Sequence, residues 1–203
     1  MKRTIELVTT DGVFRLDGGE WEVTNNMWLV GDDREVIVID AAHDAAPIVS
    51  AVNGRHVTAI ALTHGHNDHI NAAVALQDAV DAPILLHPDD TMLWHDVYPD
   101  RDPDGALTHG DALGELRVIH TPGHSPGGCC FAFDGHVFSG DTLFCGGPGA
   151  TGRSHSDFPT IVESIRARLL TLPPETIVHT GHGDTTTIGA EAPDLDEWLR
   201  RGH

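Results

Sequence analysis

The sequence is poor in cysteine and in long apolar runs, and each shortage excludes a class of protein. Three cysteines in 203 residues are too few for a disulfide framework, and they indicate free thiols in a reducing compartment. No apolar run approaches the roughly 18–20 residues that a membrane span needs. Residues 1–10 lack the apolar core of a signal peptide. We therefore expect a cytoplasmic protein with no membrane partner.

Basic residues are also scarce. Lysine and arginine together number 12 against 31 aspartates and glutamates, which gives a formal net charge of −19 with histidine neutral. A charge this negative repels phosphate backbones and anionic membrane surfaces, so nucleic acid is disfavoured as a partner. A small molecule is the expected partner, and nothing in the pattern indicates a particular oligomeric state.

The apolar pattern predicts a mixed α/β chain. A length of 203 residues with 40% hydrophobic content suits one domain, residues 1–203, with its own core. Helices alternate with strands in both halves, which favours packed layers. The Asp134-Gly135 pair predicts a tight hairpin turn. The predicted strands are residues 13–17, 27–33, 35–40, 57–63, 83–87, 116–121, 128–133, 136–140 and 176–180. The predicted helices are residues 45–54, 70–80, 158–172 and 193–201, and residues 96–111 are predicted to form a loop.

Three histidines and an aspartate follow the buried strand over residues 57–63, in the segment "THGHNDH". His64 and His66 stand at alternate positions, so both side chains can point to the same side. Asp68 and His69 come where the chain bends into a helix, which lets this second pair aim at a point nearby. The spacing is therefore suited to two metal ions, one for each pair.

Three more ligand-type residues follow other predicted strands, and glycines surround each of them. They are His124 in "TPGHSPG", Asp141 in "SGDTLF" and His182 in "GHGDTTTIGAE". Loops at the ends of strands on a rigid sheet often carry functional groups. Together the seven side chains supply nitrogen and oxygen ligands that suit two borderline metals such as zinc.

Simpler interpretations exist for several of these residues. Asp68 could be only the N-cap of the helix that follows. Asp141 after a glycine is a common turn pattern, and His182 between two glycines could simply be exposed.

The four motifs "THGHNDH", "TPGHSPG", "SGDTLF" and "GHGDTTTIGAE" together resemble the metallo-β-lactamase superfamily, and most of all its glyoxalase II-like (hydroxyacylglutathione hydrolase-like) thioesterase branch. The resemblance extends over about residues 20–192, in the family's order. It implies a four-layer αββα metallo-β-lactamase-like sandwich with a dinuclear site at one edge.

The resemblance also implies a ligand set. His64, His66 and His124 would hold the first metal, and Asp68, His69 and His182 would hold the second. Asp141 would bridge the two ions. Asp40, at the end of the strand "EVIVID", matches a position that supports the site from behind. The implied cofactor is two Zn²⁺ ions, with Fe, Mn or a mixed Fe/Zn pair as alternatives.

The implied reaction is thioester hydrolysis. A hydroxide that bridges two metals would attack the acyl carbon, with Asp68 and Asp141 as the catalytic carboxylates, and the metals would stabilise the oxyanion. The expected substrate is an acyl thioester of a low-molecular-weight thiol of the glutathione or mycothiol type. The chain ends 21 residues after His182, so it resembles the short members that lack a C-terminal helical region.

Further polar side chains and thiols lie near the motifs. Arg153 lies where relatives often place a basic contact to substrate, and a solvated loop arginine is an equally good interpretation. Ser125 and the cysteines are expected to be structural, and no protein nucleophile is assigned. Cys145 lies four residues after Asp141, and redox sensitivity is its alternative.

Other functions compete with the thioesterase. A persulfide (sulfur) dioxygenase of the same superfamily would use one iron, held by His64, His124 and Asp141. An RNA-processing nuclease is disfavoured by the charge, and a non-catalytic metal-binding protein is disfavoured because all seven ligand positions are filled. β-Lactam hydrolysis is disfavoured because secreted lactamases need an export signal and many have cysteine where Asp141 stands.

Overall fold

A computed structural model describes residues 3–202 of the chain, which form two compact units, residues 3–107 and residues 108–202. Each unit has its own six-stranded sheet with helices against it. The predicted mixed α/β class is confirmed in both, and the single-domain organisation over residues 1–203 stays a prediction.

The first unit contains a sheet with the strand order β1-β2-β3-β4-β5-β6. Its strands are β1 (Thr4–Leu16), β2 (Gly19–Gly31), β3 (Glu35–Ile39), β4 (His56–Ala61), β5 (Ile84–Leu86) and β6 (Gly105–Ala106). Its helices are α1 (Ala45–Val52), α2 (Asn67–Ile70), α3 (Ala73–Val80) and α4 (Thr91–Val97), with a 3₁₀ helix at Pro88–Asp90. Strands β3, β4, β5 and β6 run parallel, so the segments that follow β3, β4 and β5 meet at one edge of the sheet.

The second unit contains a sheet with the strand order β14-β13-β10-β9-β8-β7 and a separate two-stranded ribbon, β11-β12. Its strands are β7 (Ala112–Leu113), β8 (Leu116–His120), β9 (Cys129–Phe133), β10 (His136–Gly140), β11 (Leu143–Phe144), β12 (Gly147–Pro148), β13 (Ile177–Thr180) and β14 (Thr186–Thr187). Its helices are α5 (Phe158–Ser164), α6 (Ile188–Glu191) and α7 (Leu195–Arg201), with a π-helical turn at Ile165–Leu169 and a 3₁₀ helix at Ala192–Asp194.

Strand direction brings three segments of the second unit to one edge. Strand β9 is antiparallel to both β8 and β10, and β10 is parallel to β13. Strands β8, β10 and β13 therefore point the same way, and the residues that follow them lie at the same end of the sheet. The β9–β10 hairpin turns through Asp134 and Gly135, both with positive φ, so the predicted turn is confirmed.

Each core forms where helices cover one face of a sheet. In the first unit the strand residues Val38 and Ile60 share a buried cluster with Ile48 of α1 and Leu76 of α3. In the second unit Cys130, Val137 and Val178 share a cluster with residues of α5 and α7. Burial of this apolar surface, at about 25 cal/mol per Å², stabilises each unit.

Several element boundaries differ from the prediction. Residues 13–16 and 27–31 of the predicted strands belong to two 13-residue strands joined at Asp17 and Gly18, and residues 32–33 lie beyond the second strand. Helix α1 ends at left-handed Asn53 rather than at the glycine after it. Residues 105–106, inside the predicted loop, pair with β5. Among residues 3–202, no helix combines the length and the apolarity that crossing a membrane requires.

Candidate metal centre

Four of the predicted ligand residues lie together at the edge of the first sheet. His64 and His66 follow strand β4, and Asp68 and His69 lie in helix α2. All four side chains are buried. The ring centroid of His64 lies 4.7 Å from that of His66 and 4.2 Å from that of His69. The sequence prediction that this segment gathers its side chains at one place agrees with this arrangement.

Asp40, directly after β3, braces this group from the interior. Its Oδ1 accepts a hydrogen bond from Thr63 N at 2.7 Å, and its Oδ2 accepts from Thr63 Oγ1 at 2.8 Å and lies 2.9 Å from His69 Nδ1. Asp40 has a φ of 62°, a left-handed conformation that costs roughly 1–2 kcal/mol for a residue with a Cβ. The three contacts hold the residue in this conformation.

These contacts determine the tautomers of two histidines. A carboxylate only accepts, so His69 Nδ1 carries a proton and donates it to Asp40. The single hydroxyl proton of Thr63 goes to Asp40, so His64 Nδ1, 3.0 Å from Thr63 Oγ1, is also the donor. In the neutral imidazoles the Nε2 atoms of His64 and His69 therefore carry the lone pairs, which is the state that a metal ligand requires.

Asp90 fixes the backbone between His64 and His66. Its Oδ2 accepts a hydrogen bond from Gly65 N at 2.8 Å, and its side chain is fully buried in the 3₁₀ helix that follows β5. Gly65 itself has little space, because a Cβ there would lie 2.8 Å from Leu93 Cβ. Sequence analysis missed Asp90, although an aspartate just after a strand end in the parallel part of a sheet is a signal that could have found it.

The other three predicted ligands lie together at the edge of the second sheet. His124, Asp141 and His182 follow β8, β10 and β13. His124 Nε2 lies 3.5 Å from Asp141 Oδ2, and His182 Nε2 lies 3.5 Å from the same oxygen. His124 Nδ1 lies 2.8 Å from the carbonyl oxygen of Ala150. A carbonyl only accepts, so His124 also carries its lone pair on Nε2.

Gly149 allows the loop that contains Ala150 to approach the predicted ligands His124 and Asp141. A Cβ at Gly149 would overlap the carbonyl oxygen of Asp141 and lie 3.4 Å from His124 Nδ1. The same loop contains Arg153, half-buried, whose N–H donates to Ser156 Oγ at 3.1 Å. The structure thus places Arg153 three residues after the carbonyl that orients His124.

Both groups fit divalent cations. His69 Nε2 faces Asp68 Oδ2 at 3.6 Å and His124 Nε2 faces Asp141 Oδ2 at 3.5 Å, and in each pair a lone pair points toward an anionic oxygen. Such pairs repel unless positive charge lies between them. A proton would draw the atoms to about 2.7–3.2 Å. Ligands around a tetrahedral metal at about 2.0–2.2 Å stand about 3.4 Å apart, close to the observed separations.

The structure also bears on the simpler interpretations. The N-cap position of α2 is His66, and Asp68 lies inside the helix, so capping does not account for Asp68. All three cysteines are free, as expected, and Cys145 is exposed. Burial raises the pKa of the Cys130 thiol to about 11, which makes it a poor nucleophile at neutral pH.

A model of the metallo-beta-lactamase superfamily matches residues 21–182. The chain belongs to the metallo-β-lactamase superfamily. The hydroxyacylglutathione hydrolase GloC of Haemophilus influenzae is 30% identical over 181 residues, which cover 79% of this chain and 85% of that protein. This match confirms the resemblance to the hydroxyacylglutathione hydrolase branch.

Solved structures extend the likeness to the metallo-β-lactamase fold. The structure of TTHA1623 in a di-iron-bound form is 36% identical with a TM-score of 0.76, over 84% of this chain and 93% of that one. The structure of BLEG-1 B3 metallo-beta-lactamase is 29% identical with a TM-score of 0.76, over 92% and 97% of the two chains. The predicted fold is confirmed, and this metallo-β-lactamase superfamily chain carries histidine and aspartate side chains that could bind metal ions.

Proposed function

We propose that the two groups of side chains form one dinuclear metal centre in a thioester hydrolase. In this proposal His64, His66 and His124 would hold one divalent cation. Asp68, His69 and His182 would hold the other, and Asp141 would serve both. Membership of the metallo-β-lactamase superfamily supports the assembly, and the tautomers of His64, His69 and His124 support the ligand assignment.

One observation carries the proposal. Asp141 Oδ2 lies 3.5 Å from both His124 Nε2 and His182 Nε2, although these histidines follow different strands. A single carboxylate oxygen that two imidazoles approach equally is suited to stand between two cations. A structural carboxylate would need only one partner at hydrogen-bonding distance.

The protein's own contribution is to orient the proposed ligands. When bound, two divalent cations would lower the pKa of a water molecule toward neutrality and polarise an acyl carbonyl. Asp68 and Asp141 place negative charge beside those ions, and Asp40 and the Ala150 carbonyl keep the imidazoles in the metal-binding tautomer. No side chain has to supply the nucleophile, and a thiolate leaves with little assistance from an acid.

The proposed substrate is an acyl thioester of a low-molecular-weight thiol, of the glutathione or mycothiol type. The relative GloC is named a hydroxyacylglutathione hydrolase, which supports this class. Arg153 is proposed to contact an anionic group of the thiol carrier, and its substitution by alanine should raise KM more than it lowers kcat. The free cysteines support a cytoplasmic location, and the net charge of −19 supports a small molecule rather than nucleic acid as partner.

The test is a panel of thioesters of glutathione, mycothiol and coenzyme A, assayed with protein of measured metal content. We expect turnover of at least one thioester, and we expect Asp141→Ala to abolish it. Asp196→Ala, an exposed aspartate on α7, is the matched control and should retain wild-type activity. Full activity in Asp141→Ala would remove the dinuclear mechanism.

Iron is the second candidate metal, because a 36% identical structure was solved in a di-iron-bound form. One iron per chain with oxygen uptake in the presence of a persulfide would favour the dioxygenase, with His64, His124 and Asp141 as ligands. Two zinc, manganese or iron ions per chain with thioester hydrolysis would favour the hydrolase.

A further inference from the structure

Asp68 is held from behind by an amide. Asn25, in the middle of β2, donates a hydrogen bond from Nδ2 to Asp68 Oδ2 at 3.1 Å, and its side chain is fully buried. Because Asn25 offers one N–H₂ group and one carbonyl, the donation to Asp68 leaves its Oδ1 to accept. The orientation of Asp68 therefore depends on what Asn25 Oδ1 contacts.

Asn25 Oδ1 contacts His43, and the donor and acceptor roles of the two ring nitrogens of His43 are fixed by their partners. His43 Nε2 lies 2.8 Å from Asn25 Oδ1, and His43 Nδ1 lies 3.1 Å from Asn71 Nδ2. The backbone N–H of His43 donates to Asn71 Oδ1 at 2.5 Å, which turns the Asn71 amide nitrogen toward the ring. His43 Nδ1 therefore accepts and His43 Nε2 donates.

The donor and acceptor roles at the two ends of this series of hydrogen bonds cannot be exchanged. At one end the backbone N–H of His43 can only donate, and at the other end the ionised carboxylate of Asp68 can only accept. The result is one continuous set of donors that runs from Asn71 through His43 and Asn25 to Asp68. A flip of either amide would place two donors or two acceptors against each other, which costs about 1–3 kcal/mol for a buried group.

The backbone conformation of His43 and the glycine at residue 12 together fix the position of the His43 ring. His43 has a φ of 59°, a conformation in which histidine is commoner than most residues but that still carries strain. Strand β1 leaves room for the ring only because residue 12 is glycine: a Cβ at Gly12 would overlap His43 Nδ1. A methyl group on β1 would thus displace the ring without the removal of any polar group.

We propose that Asn25, His43 and Asn71 are positioning residues that orient Asp68 and thereby set the affinity of the second metal position. This inference rests on the proposed dinuclear centre. It predicts different effects at the two metal positions. The hydrogen bonds of Asn71, His43 and Asn25 end at Asp68, and they do not support the ligands assigned to the first ion, His64, His66 and His124.

The experiment measures metal binding without an assay of activity. The full-length protein is stripped of metal, and Zn²⁺ is titrated in competition with a chromophoric chelator to obtain two stepwise dissociation constants. Co²⁺ titration follows the visible absorption of each step. The variants are His43→Ala, His43→Gln and Gly12→Ala, with exposed His56→Ala as the control, and thermal unfolding of each metal-free variant reports its fold.

We expect His43→Ala and Gly12→Ala to weaken one of the two constants, that of the ion assigned to Asp68, by about tenfold to a hundredfold and to leave the other within about twofold. His43→Gln keeps an amide N–H for Asn25 and should lie between His43→Ala and the wild type. A wild type that binds two ions and variants that bind both equally well would overturn this inference alone, as would equal weakening of both constants. A wild type that binds a single ion would overturn the proposed centre as well.

Discussion

The two units build their ligand groups in different ways. In the first unit all four candidate ligands lie within residues 64–69, and side chains of Asp40, Thr63, Asp90 and Asn25 hold this segment. In the second unit His124, Asp141 and His182 come from three separate strand ends, and the backbone carbonyl of Ala150 holds His124. The first group is held by hydrogen bonds from other side chains. The second group is held by a backbone carbonyl, and it depends on how closely that backbone can approach His124.

This difference determines how each group can be disrupted. A side chain that accepts or donates a hydrogen bond can be replaced by one that does the opposite. A carbonyl oxygen cannot be replaced, so the second group is open to substitution mainly through Gly149, whose missing Cβ lets the loop lie against Asp141. We therefore expect polar substitutions to act on the first unit and steric ones to act on the second.

Asp40→Asn should have the largest effect on metal binding. If the new side-chain amide keeps its oxygen toward Thr63 N, its nitrogen faces His69 Nδ1 and Thr63 Oγ1, so both of these atoms must accept. Thr63 Oγ1 then donates its own proton to His64 Nδ1. The protons of His69 and His64 therefore move to Nε2, where the lone pairs are needed. Metal affinity should fall about 10- to 100-fold, measured by chelator competition.

The control for this substitution is Asp44→Asn. Asp44 is the N-cap of α1 and accepts from Ala46 N at 2.9 Å, a position where asparagine and aspartate are equivalent. Both aspartate and asparagine tolerate the left-handed conformation of residue 40, so strain does not confuse the comparison. Unchanged metal affinity in Asp40→Asn would show that the tautomers are set by something else.

Gly149→Ala and Gly65→Ala compare steric disruption of the two groups. The new Cβ at residue 149 meets the carbonyl oxygen of Asp141, which cannot move without the ligand, and we expect a loss of about 1–3 kcal/mol in unfolding free energy. At residue 65 the neighbours are Leu93 Cβ at 2.8 Å and the Asp90 carbonyl at 3.0 Å, and a smaller loss is expected. Chemical denaturation of the metal-free variants measures both, and a larger loss at residue 65 would contradict the comparison.

Asp90→Ala tests the hydrogen bond between Gly65 N and Asp90 Oδ2, which sequence analysis did not predict. The substitution leaves the Gly65 N–H without its acceptor in a buried position, which costs about 1–3 kcal/mol and loosens the segment between His64 and His66. Asp90→Asn keeps a carbonyl oxygen of the same size and should retain most of the stability. Equal stability of the two variants would show that the hydrogen bond contributes little.

Sequence analysis predicted the candidate ligands because each lies in a segment that follows a recognisable strand. The apolar run before His64 and the glycines around His124 and His182 mark strand ends without any knowledge of tertiary contacts. The supporting residues were not predictable in this way. Asn25 and its neighbour Asn26 face opposite sides of β2, and which of the two faces Asp68 depends on strand register.

The long hairpin was missed in part although its sequence indicates a strand. Residues 20–24, "EWEVT", alternate polar and apolar side chains as a half-buried strand does, and β1 and β2 pair over all 13 positions. The contacts of His43 with Asn25 and of Asp90 with Gly65 form where this pairing and the parallel sheet bring distant segments together. The partners are 18 and 25 residues apart, beyond any local pattern.

His179→Phe should have the smallest effect on the unfolding free energy at neutral pH. At acid pH its effect should distinguish the second unit from the first. His179 lies against Phe138, with ring centroids 4.7 Å apart, and its Nε2 lies 2.9 Å from His136 Nδ1. Burial lowers the pKa of His179 from 6.5 to about 4. Between these two values the unfolded chain binds a proton that the folded chain does not, so stability falls as the pH falls from about 6.5 to about 4.

At pH 5 this linkage amounts to about 2 kcal/mol, and near pH 7 it is close to zero. The metal-free wild type should therefore lose more stability between pH 7 and pH 5 than metal-free His179→Phe. Amide hydrogen exchange should place the loss at Val137 and Val178 of the second sheet, with Val38 and Ile60 of the first sheet less affected. The same pH dependence in wild type and variant would show that a titrating group other than His179 weakens the second unit in acid.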